Sequence, residues 1–271
     1  MSTALDVSLL ALSTVCLFTG ILDQMADNSN TDRNSDHTLA ELAYRTIRDR
    51  IFRGIYPIGA EISRRELATE LGMSIVPIND ALVRLSSEWL VENVRRVGTR
   101  VRVPTPLDIR GFWAVREGLE TQAARLFARN ATGAERQELR RLAAELDALH
   151  QATTNMPQPE SESLYRWRLA HMAFHLWIAA GTHIPFLFHS VEKNQILIFN
   201  WFYEHSISAA PALPPDWHEK LADALCQDSE SGADAAMRDH LRNRVEELLQ
   251  RLERHLTLNR NSLTALIEER T

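Results

Sequence analysis

The first strongly patterned stretch of the chain is Leu39–Gly54, in which apolar residues recur at intervals of three and four. This spacing puts them on one face of an α-helix, and arginines occupy the other faces. Pro57 and Gly59 follow and predict a turn that ends this segment. The apolar positions are Leu39, Leu42, Ala43, Ile47 and Ile51.

A capping signal predicts a second, shorter helix over Arg64–Leu71. The Ser63 hydroxyl can accept a hydrogen bond from the amide three residues on, and Glu66 can reach back. Gly72 suits the left-handed conformation that ends many helices, and Ser74 is expected to cap a third helix. Two helices joined by such a tight turn are typical of a helix-turn-helix. The apolar face of the third helix consists of Ile78, Ala81, Leu82 and Leu85.

Two short strands are predicted after the third helix, over Trp89–Val91 and Thr99–Val103, because their aromatic and β-branched residues favour strands. The loop between them contains Arg95, Arg96 and Gly98, so it is basic and can turn at the glycine. A hairpin in this position is a wing.

Thr105-Pro106 marks a domain boundary, and nearly everything beyond it has helical periodicity. The predicted fold class is mainly α: a winged helix-turn-helix domain followed by an all-α antiparallel helical bundle. We assign residues 1–37 to a leader, 38–104 to the head, 105–256 to a sensor domain and 257–271 to a tail. The predicted helices are Leu107–Ala131, Gly133–Gln151, Leu164–Ala180, Pro185–His205, Pro215–Gln227 and Gly232–Leu256, with Ser262–Glu269 compatible with one more.

Charge is distributed unevenly over the 271 residues, whose formal net charge is -6. The head carries eleven basic and eight acidic residues, so its excess is basic, whereas the leader and the sensor domain are acidic. A basic excess in one short domain favours a surface that meets phosphates. Two cysteines without a motif fit a reducing cytoplasm. A head that meets phosphates would place the protein near the nucleoid.

The apolar stretch Leu9–Leu22 is shorter than the roughly 20 residues that a membrane-spanning helix needs. No basic residue precedes it, as one would in a secretory signal. We therefore interpret it as lying upstream of a true start near Met25, and a disordered composition follows. A membrane-associated leader is the competing interpretation.

The head resembles the GntR family of bacterial regulators, and the helical remainder resembles the ligand-binding domain (FCD domain) of its FadR-type branch. The resemblance implies a homodimer that binds double-stranded DNA, usually as a repressor. It covers roughly residues 39–256. The residues that carry it in the head are Ile51–Gly54, Ile58–Ile62, Arg65–Ala68, Leu71-Gly72, Ser74, Pro77, Ala81-Leu82, Arg84-Leu85 and Gly98.

The third helix departs from the family, which usually carries arginine at the positions held here by Ile75 and Asn79. Arginine paired with guanine supplies about 1–3 kcal/mol of discrimination, so its loss changes or abolishes the usual operator preference. Ile75 suits a thymine methyl group, and Asn79 suits adenine. The predicted DNA-contacting residues are Arg64, Arg65, Ser74, Ile75, Val76, Asn79, Arg84, Arg95, Arg96, Gly98 and Arg100.

Four histidines form the candidate chemistry of the sensor domain. His171 and His175 are four apart and so share one face of a predicted helix, while His218 and His240 lie on two later helices. Imidazoles from three helices suit a divalent transition metal such as zinc or nickel. The resemblance implies the same site: His175, His218 and His240 match the family's three histidines, and His171 replaces an aspartate.

The resemblance also assigns Arg116 to the effector, because a guanidinium fork suits a small carboxylate. The sequence therefore predicts a DNA-binding transcriptional regulator, and not an enzyme, whose operator affinity responds to an organic acid bound near the metal. Two alternatives stay open. One is a regulator-like protein that has lost sequence-specific DNA binding and acts through a protein partner. The other is an all-helical metal-dependent enzyme.

Overall fold

The computed structural model describes residues 35–95, 98–155, 161–203 and 213–243. Within these ranges the chain forms nine helices and three short strands. In chain order they are α1 (Ser35–Phe52), β1 (Glu61–Ile62), α2 (Arg64–Leu71), α3 (Ile75–Ser87), β2 (Val91–Val94), β3 (Gly98–Val101), α4 (Pro106–Asn130), α5 (Gly133–Thr154), α6 (Ser161–Ala180), α7 (Pro185–Tyr203), α8 (Trp217–Leu225) and α9 (Glu230–Arg242).

The predicted fold class is confirmed, because a winged helix-turn-helix precedes a mainly helical region. The described residues divide into two compact units. One runs from 35 to 116 and takes in 193–203 and 241–243. The other, the helical unit, comprises 117–192, with its gap at 156–160, and 213–240. No helix in the described part of the chain is both long enough and apolar enough to cross a membrane.

Helices α1 and α2 both pack against α3 and so build the core of the head. The apolar spacing seen in the sequence supplies this core, since one face of each helix is removed from water. Burying such side chains is the main favourable term in folding. The large side chains that these helices bury almost completely include Tyr44, Ile47, Ile51, Leu67, Ile78 and Leu85.

Helix α2 has the predicted bounds, and its ends are formed as expected. The Ser63 hydroxyl accepts from the amide of Glu66, and Gly72 adopts φ 63°, the left-handed conformation that a glycine tolerates best. Ser74 differs from the prediction: it occupies the N-cap of α3, but its side chain makes no capping hydrogen bond. The first amides of α3 are therefore not satisfied by this hydroxyl.

The wing is a three-stranded antiparallel sheet in the order β1-β3-β2. Strand β1 was not predicted, because two residues are too few to show an alternating pattern. The prediction of a strand over Trp89–Val91 was wrong at its start. Trp89 has φ 64° and turns the chain after α3, so the strand begins at Val91. Gly98, with φ 109°, opens β3 at the tip of the hairpin.

In the helical unit, α5 packs against α6 and α8. A complete capping box opens α5, in which the Thr132 hydroxyl accepts from the Glu135 amide and the Glu135 carboxylate accepts from the Thr132 amide. Except at the end of α9, the predicted helices agree with the observed ones within a few residues wherever the structure describes them. Helix α9 ends at Arg242, short of the predicted Leu256, and Asn243 lies in a turn. The leader to residue 34, residues 244–256 and Ser262–Glu269 lie outside the described residues.

Candidate functional site

The four predicted histidines come together in the helical unit and form the histidine cluster (His171, His175, His218 and His240). Ring nitrogens of His171, His218 and His240 all lie within 4.8 Å of one another. The Nε2 atoms of His175 and His171 are 3.3 Å apart, because residues four apart on α6 share a face. Three helices, α6, α8 and α9, thus bring four imidazoles to one place.

Asp147, a buried residue of α5, holds His218 in position. Its Oδ2 accepts hydrogen bonds from the backbone amides of His218 and Glu219 at 2.9 and 3.0 Å. Its Oδ1 lies 2.5 Å from Nδ1 of the fully buried His218 ring. Asp147 therefore caps the start of α8 and also fixes the orientation of the imidazole, two tasks that sequence analysis did not predict.

Glu120 contacts the His175 ring as Asp147 contacts the His218 ring, through Nδ1. Its Oε2 lies 2.5 Å from His175 Nδ1, and both side chains are buried. A carboxylate on Nδ1 leaves Nε2 as the nitrogen directed toward the rest of the cluster. Sequence analysis did not predict this contact.

The arrangement fits a metal ion on the evidence of its own atoms. His218 Nε2 is buried and has no hydrogen-bond partner among the described residues, which is costly unless another ligand satisfies it. Carboxylates behind metal-binding imidazoles are the usual outer ligands, since they fix the tautomer and raise the basicity of the ring. Imidazole ligands suit zinc, copper, iron and nickel.

Aromatic rings line the cluster. Phe174 lies edge-on to both His175 and His218, with ring centroids 5.5 Å apart in each pair. Trp217 stacks on His240 at 5.4 Å. These rings exclude water, so charges within the cluster interact more strongly than they would in solvent.

Sequence analysis assigned no metal to four further histidines. His150 is buried against Trp167, with ring centroids 5.3 Å apart. His183 and His189 are exposed and lie beside glutamates. His205 lies outside the described residues.

Arg116, the predicted effector contact, is 5% exposed. Its guanidinium carbon lies 5.0 Å from the centroid of the Trp113 ring, a distance at which a cation is attracted to the aromatic face.

In the head, several arginines predicted to contact DNA are bound by side chains of the protein itself. Arg84 donates to Glu41 at 2.6 Å and lies 3.6 Å from the Tyr44 ring centroid. Arg64 donates to Asn93 and Thr99 in the wing, at 3.0 and 2.9 Å. The Arg100 guanidinium bonds to Glu92 at 2.7 Å.

Burial raises the pKa of Tyr44 to about 12, against the charge of Arg48 and with help from Glu88. The Tyr44 hydroxyl donates to Glu88 at 2.8 Å. For Glu41, burial alone would raise the pKa, but hydrogen bonds from Arg45 and Arg84 and their charges lower it overall. Arg84 thus belongs to a charged network around Tyr44 that helps to hold α1 on α3.

Two predicted cations are exposed and make no side-chain hydrogen bond or ion pair with other described residues: Arg65 on α2 and Arg95 at the end of β2. Gly98 and Ser74 are exposed as well. Ile75 and Val76 are 45% and 65% exposed, whereas Asn79 is half-buried. Arg96 lies outside the described residues.

Comparisons with known proteins agree with both halves of this architecture. The family described as "Bacterial regulatory proteins, gntR family" matches residues 39–101, and the FCD domain family matches residues 112–243. A transcriptional regulator of the helix-turn-helix type from Agrobacterium vitis is 34% identical over 82 residues. A protein from Paenarthrobacter nicotinovorans, described as a D-xylose utilization operon transcriptional repressor, is 38% identical over 80 residues.

Each of these two matches covers 30% of this chain, and the chain spans 48% and 35% of the length of the two relatives. Among solved structures, Escherichia coli McbR/YncC superposes with a TM-score of 0.64 at 21% identity, covering 78% of this chain and 97% of that one. A GntR protein from Rhodococcus sp. RHA1 has a TM-score of 0.63 at 20% identity, covering 79% and 96%. At these identities the structures establish the fold alone.

The fold and the two matching domains define a class of protein: a winged helix-turn-helix joined to an FCD domain. The chain belongs to the GntR family of bacterial regulatory proteins, and its FCD domain fits the FadR-type branch.

Proposed function

We propose that this protein is a transcriptional regulator whose affinity for its operator responds to a small organic acid bound beside a metal ion. The histidine cluster backed by Asp147 and Glu120 is the observation that carries the proposal. A metal-bound effector and a DNA-binding head within one chain are the two sites that linkage requires, because the effector must favour one arrangement of the protein over another.

His171, His218 and His240 would hold a zinc or nickel ion, and His175, whose Nε2 lies beside that of His171, would be the fourth ligand. Four neutral imidazoles leave the full charge of a divalent ion uncompensated within the set of ligands, so an anion is attracted as a further ligand. The ion supplies Lewis acidity toward a carboxylate, and the chain supplies the orientation of its ligands. Arg116 is proposed to bind a carboxylate, because a guanidinium forms two parallel hydrogen bonds with one.

The regulator acts as a homodimer and binds a two-fold-related site through two heads, most simply as a repressor. Helix α3 enters the major groove, and its first turns meet the base edges. Ile75, Val76 and Asn79 are the proposed base contacts. Arg65, Arg95, Arg96, the hydroxyl of Ser74 and the backbone at Gly98 bind the phosphates. Arg64, Arg84 and Arg100 take part only where their protein partners leave a donor available.

Metal analysis of the purified protein tests the sensor half of the proposal. We expect about one ion per chain, and we expect the double variant His218→Ala with His240→Ala to contain none. His183→Ala with His189→Ala is the matched control, because both side chains are exposed and lie outside the cluster. Full occupancy in the first variant would exclude the assigned ligands.

Selection of bound fragments from the organism's own DNA, with and without candidate acids, tests the regulatory half. We expect a two-fold-related sequence to be enriched, and we expect one class of acid to change the enrichment. A lack of preference for any sequence over random DNA at moderate ionic strength would exclude operator binding. It would favour the alternative in which the head acts through a protein partner.

A further inference from the structure

The outer face of α3 carries branched apolar side chains instead of cations. Val76 and Val83 are 65% and 68% exposed, and Ile75 beside them is 45% exposed. Val76 and Val83 are seven residues apart and so lie along one stripe of the helix, with the exposed carboxylate of Asp80 between them. Exposing so much apolar surface on one short helix is unfavourable unless another molecule covers it.

The fold of the head does not need these side chains. The opposite face of α3 provides the core through Ile78, Leu82 and Leu85, which are nearly inaccessible. Arg84 is the only basic residue of α3, and its guanidinium is engaged by Glu41, Glu88 and the Tyr44 ring. The outer face therefore cannot make the bidentate contact between arginine and guanine that is the commonest specific contact in the major groove.

Double-stranded DNA is the partner that the neighbouring charges favour. Arg65 on α2 and Arg95 at the end of β2 are exposed and have no ion pair among the described residues. Both elements contact α3 within the head. Cations on either neighbour of an apolar helix face suit a duplex, whose phosphates border a groove floor that contains methyl groups.

In the major groove the apolar feature is the methyl group on C5 of a pyrimidine. Bidentate contact with adenine would need Oδ1 of Asn79, but this atom is buried and has no hydrogen-bond partner among the described residues. The amide must therefore turn before it can bind adenine, whereas the three apolar side chains are already exposed. The apolar side chains of this face can therefore contact C5 methyl groups without any rearrangement.

We propose that α3 selects its operator through pyrimidine C5 methyl groups, which are contacted by Ile75, Val76 and Val83. This inference rests on the proposed function and specifies its substrate class: duplex DNA with thymine, or 5-methylcytosine, beneath the apolar stripe. Val83 joins the base-contacting residues because it continues the stripe of Val76 toward the middle of α3.

Replacing thymine by deoxyuridine tests the proposal, since this exchange removes only the methyl group. On an operator obtained by fragment selection, we expect single replacements at two or three positions of each half-site to weaken binding about fourfold per methyl. Replacement elsewhere in the same operator is the internal control and is expected to have no effect. A second arm places 5-methylcytosine, then cytosine, at the sensitive positions. Recovery with 5-methylcytosine alone shows that the methyl group, and not thymine O4, is recognised.

Protein variants then assign each methyl group to a side chain. The deoxyuridine penalty at one position is expected to disappear in Val76→Ala, and the penalty at another in Val83→Ala. Ile55→Ala is the control, because Ile55 is 61% exposed and lies in the head outside α3. Thermal unfolding verifies that each exposed substitution leaves the fold intact.

Equal binding of thymine and deoxyuridine operators, with undiminished site preference, would overturn this inference and leave the proposed regulator standing. No site preference in unmodified DNA would overturn both. That second result, together with normal folding, would identify the apolar stripe as a contact for a protein.

Discussion

At the scale of single residues, Asp147 contacts both the start of helix α8 and the His218 ring of the histidine cluster. One of its oxygens caps α8, and the other fixes the His218 ring. A buried carboxylate in this position is expensive unless each oxygen is satisfied, and here both are. The same residue therefore stabilises a helix and orients a metal ligand.

We predict that Asp147→Asn lowers the metal affinity about 10- to 100-fold, the usual effect of removing an outer carboxylate. Competition with a chromophoric chelator measures this affinity. Asp223→Asn is the control, because that carboxylate is exposed and pairs with Arg140 at the surface. Unchanged affinity in Asp147→Asn would mean that the carboxylate serves the helix alone.

Tyr44 makes the stability of the head depend on pH in the alkaline range. Its pKa of about 12 in the folded protein exceeds the ordinary value of 10.0. A group whose folded pKa is raised stabilises the fold fully below its unfolded pKa. We therefore expect this contribution to be constant below pH 10 and to be lost between pH 10 and about 12. Urea unfolding followed over this range measures the loss, and Tyr44→Phe should remove that part of the pH dependence.

At the scale of the elements, the starts of α5 and α3 differ, although a hydroxyl residue stands at the N-cap of each. Thr132 forms a complete capping box on α5, whereas Ser74 occupies the N-cap of α3 without making a side-chain bond. Capping hydrogen bonds contribute to stability only where they form. The hydroxyl of Ser74 is thus available to a ligand, and that of Thr132 is engaged.

We predict that Thr132→Ala lowers the free energy of unfolding by about 1 kcal/mol, because the Glu135 amide at the start of α5 loses its partner. Ser74→Ala is expected to change stability far less and to weaken DNA binding instead. Chemical denaturation and a DNA-binding titration on both variants separate these effects. A destabilised Ser74→Ala protein with normal DNA affinity would contradict the proposed phosphate contact.

At the scale of the whole molecule, the formal net charge of -6 conceals a head with a basic excess. Several of the head's arginines form ion pairs within the head, such as those of Arg50 with Glu70 and Arg53 with Asp49. Only cations without such partners gain affinity by displacing counterions from DNA. The chain is therefore expected to bind DNA with fewer phosphate contacts than its eleven head arginines suggest.

We predict that Arg65→Ala and Arg95→Ala each reduce the slope of log affinity against log salt by about 2 in a dimer, one phosphate contact per subunit. Arg53→Ala should leave the slope unchanged, because its cation is paired with Asp49. Titrations at several salt concentrations measure the slopes. Equal slopes for all three variants would show that phosphates are bound elsewhere.

The sequence by itself determined the elements of this protein, because helices depend on local signals. The period of apolar residues predicted the helices with small errors at their ends, apart from the end of α9, and the Ser63 and Gly72 signals predicted both ends of α2. The spacing of His171 and His175 also predicted that they share one face of a helix, whereas the assignment of His218 and His240 to the same site rested on the resemblance to the family.

Only the tertiary structure decided which side chains meet. Asp147 lies 71 residues from His218, and Arg84 lies 43 residues from Glu41, so no local pattern connects either pair. The structure thereby assigned Arg84 to a network within the head and left Ile75, Val76 and Val83 exposed. Backbone conformation follows from neighbours along the chain, whereas the partner of a charged side chain is set by packing between distant segments.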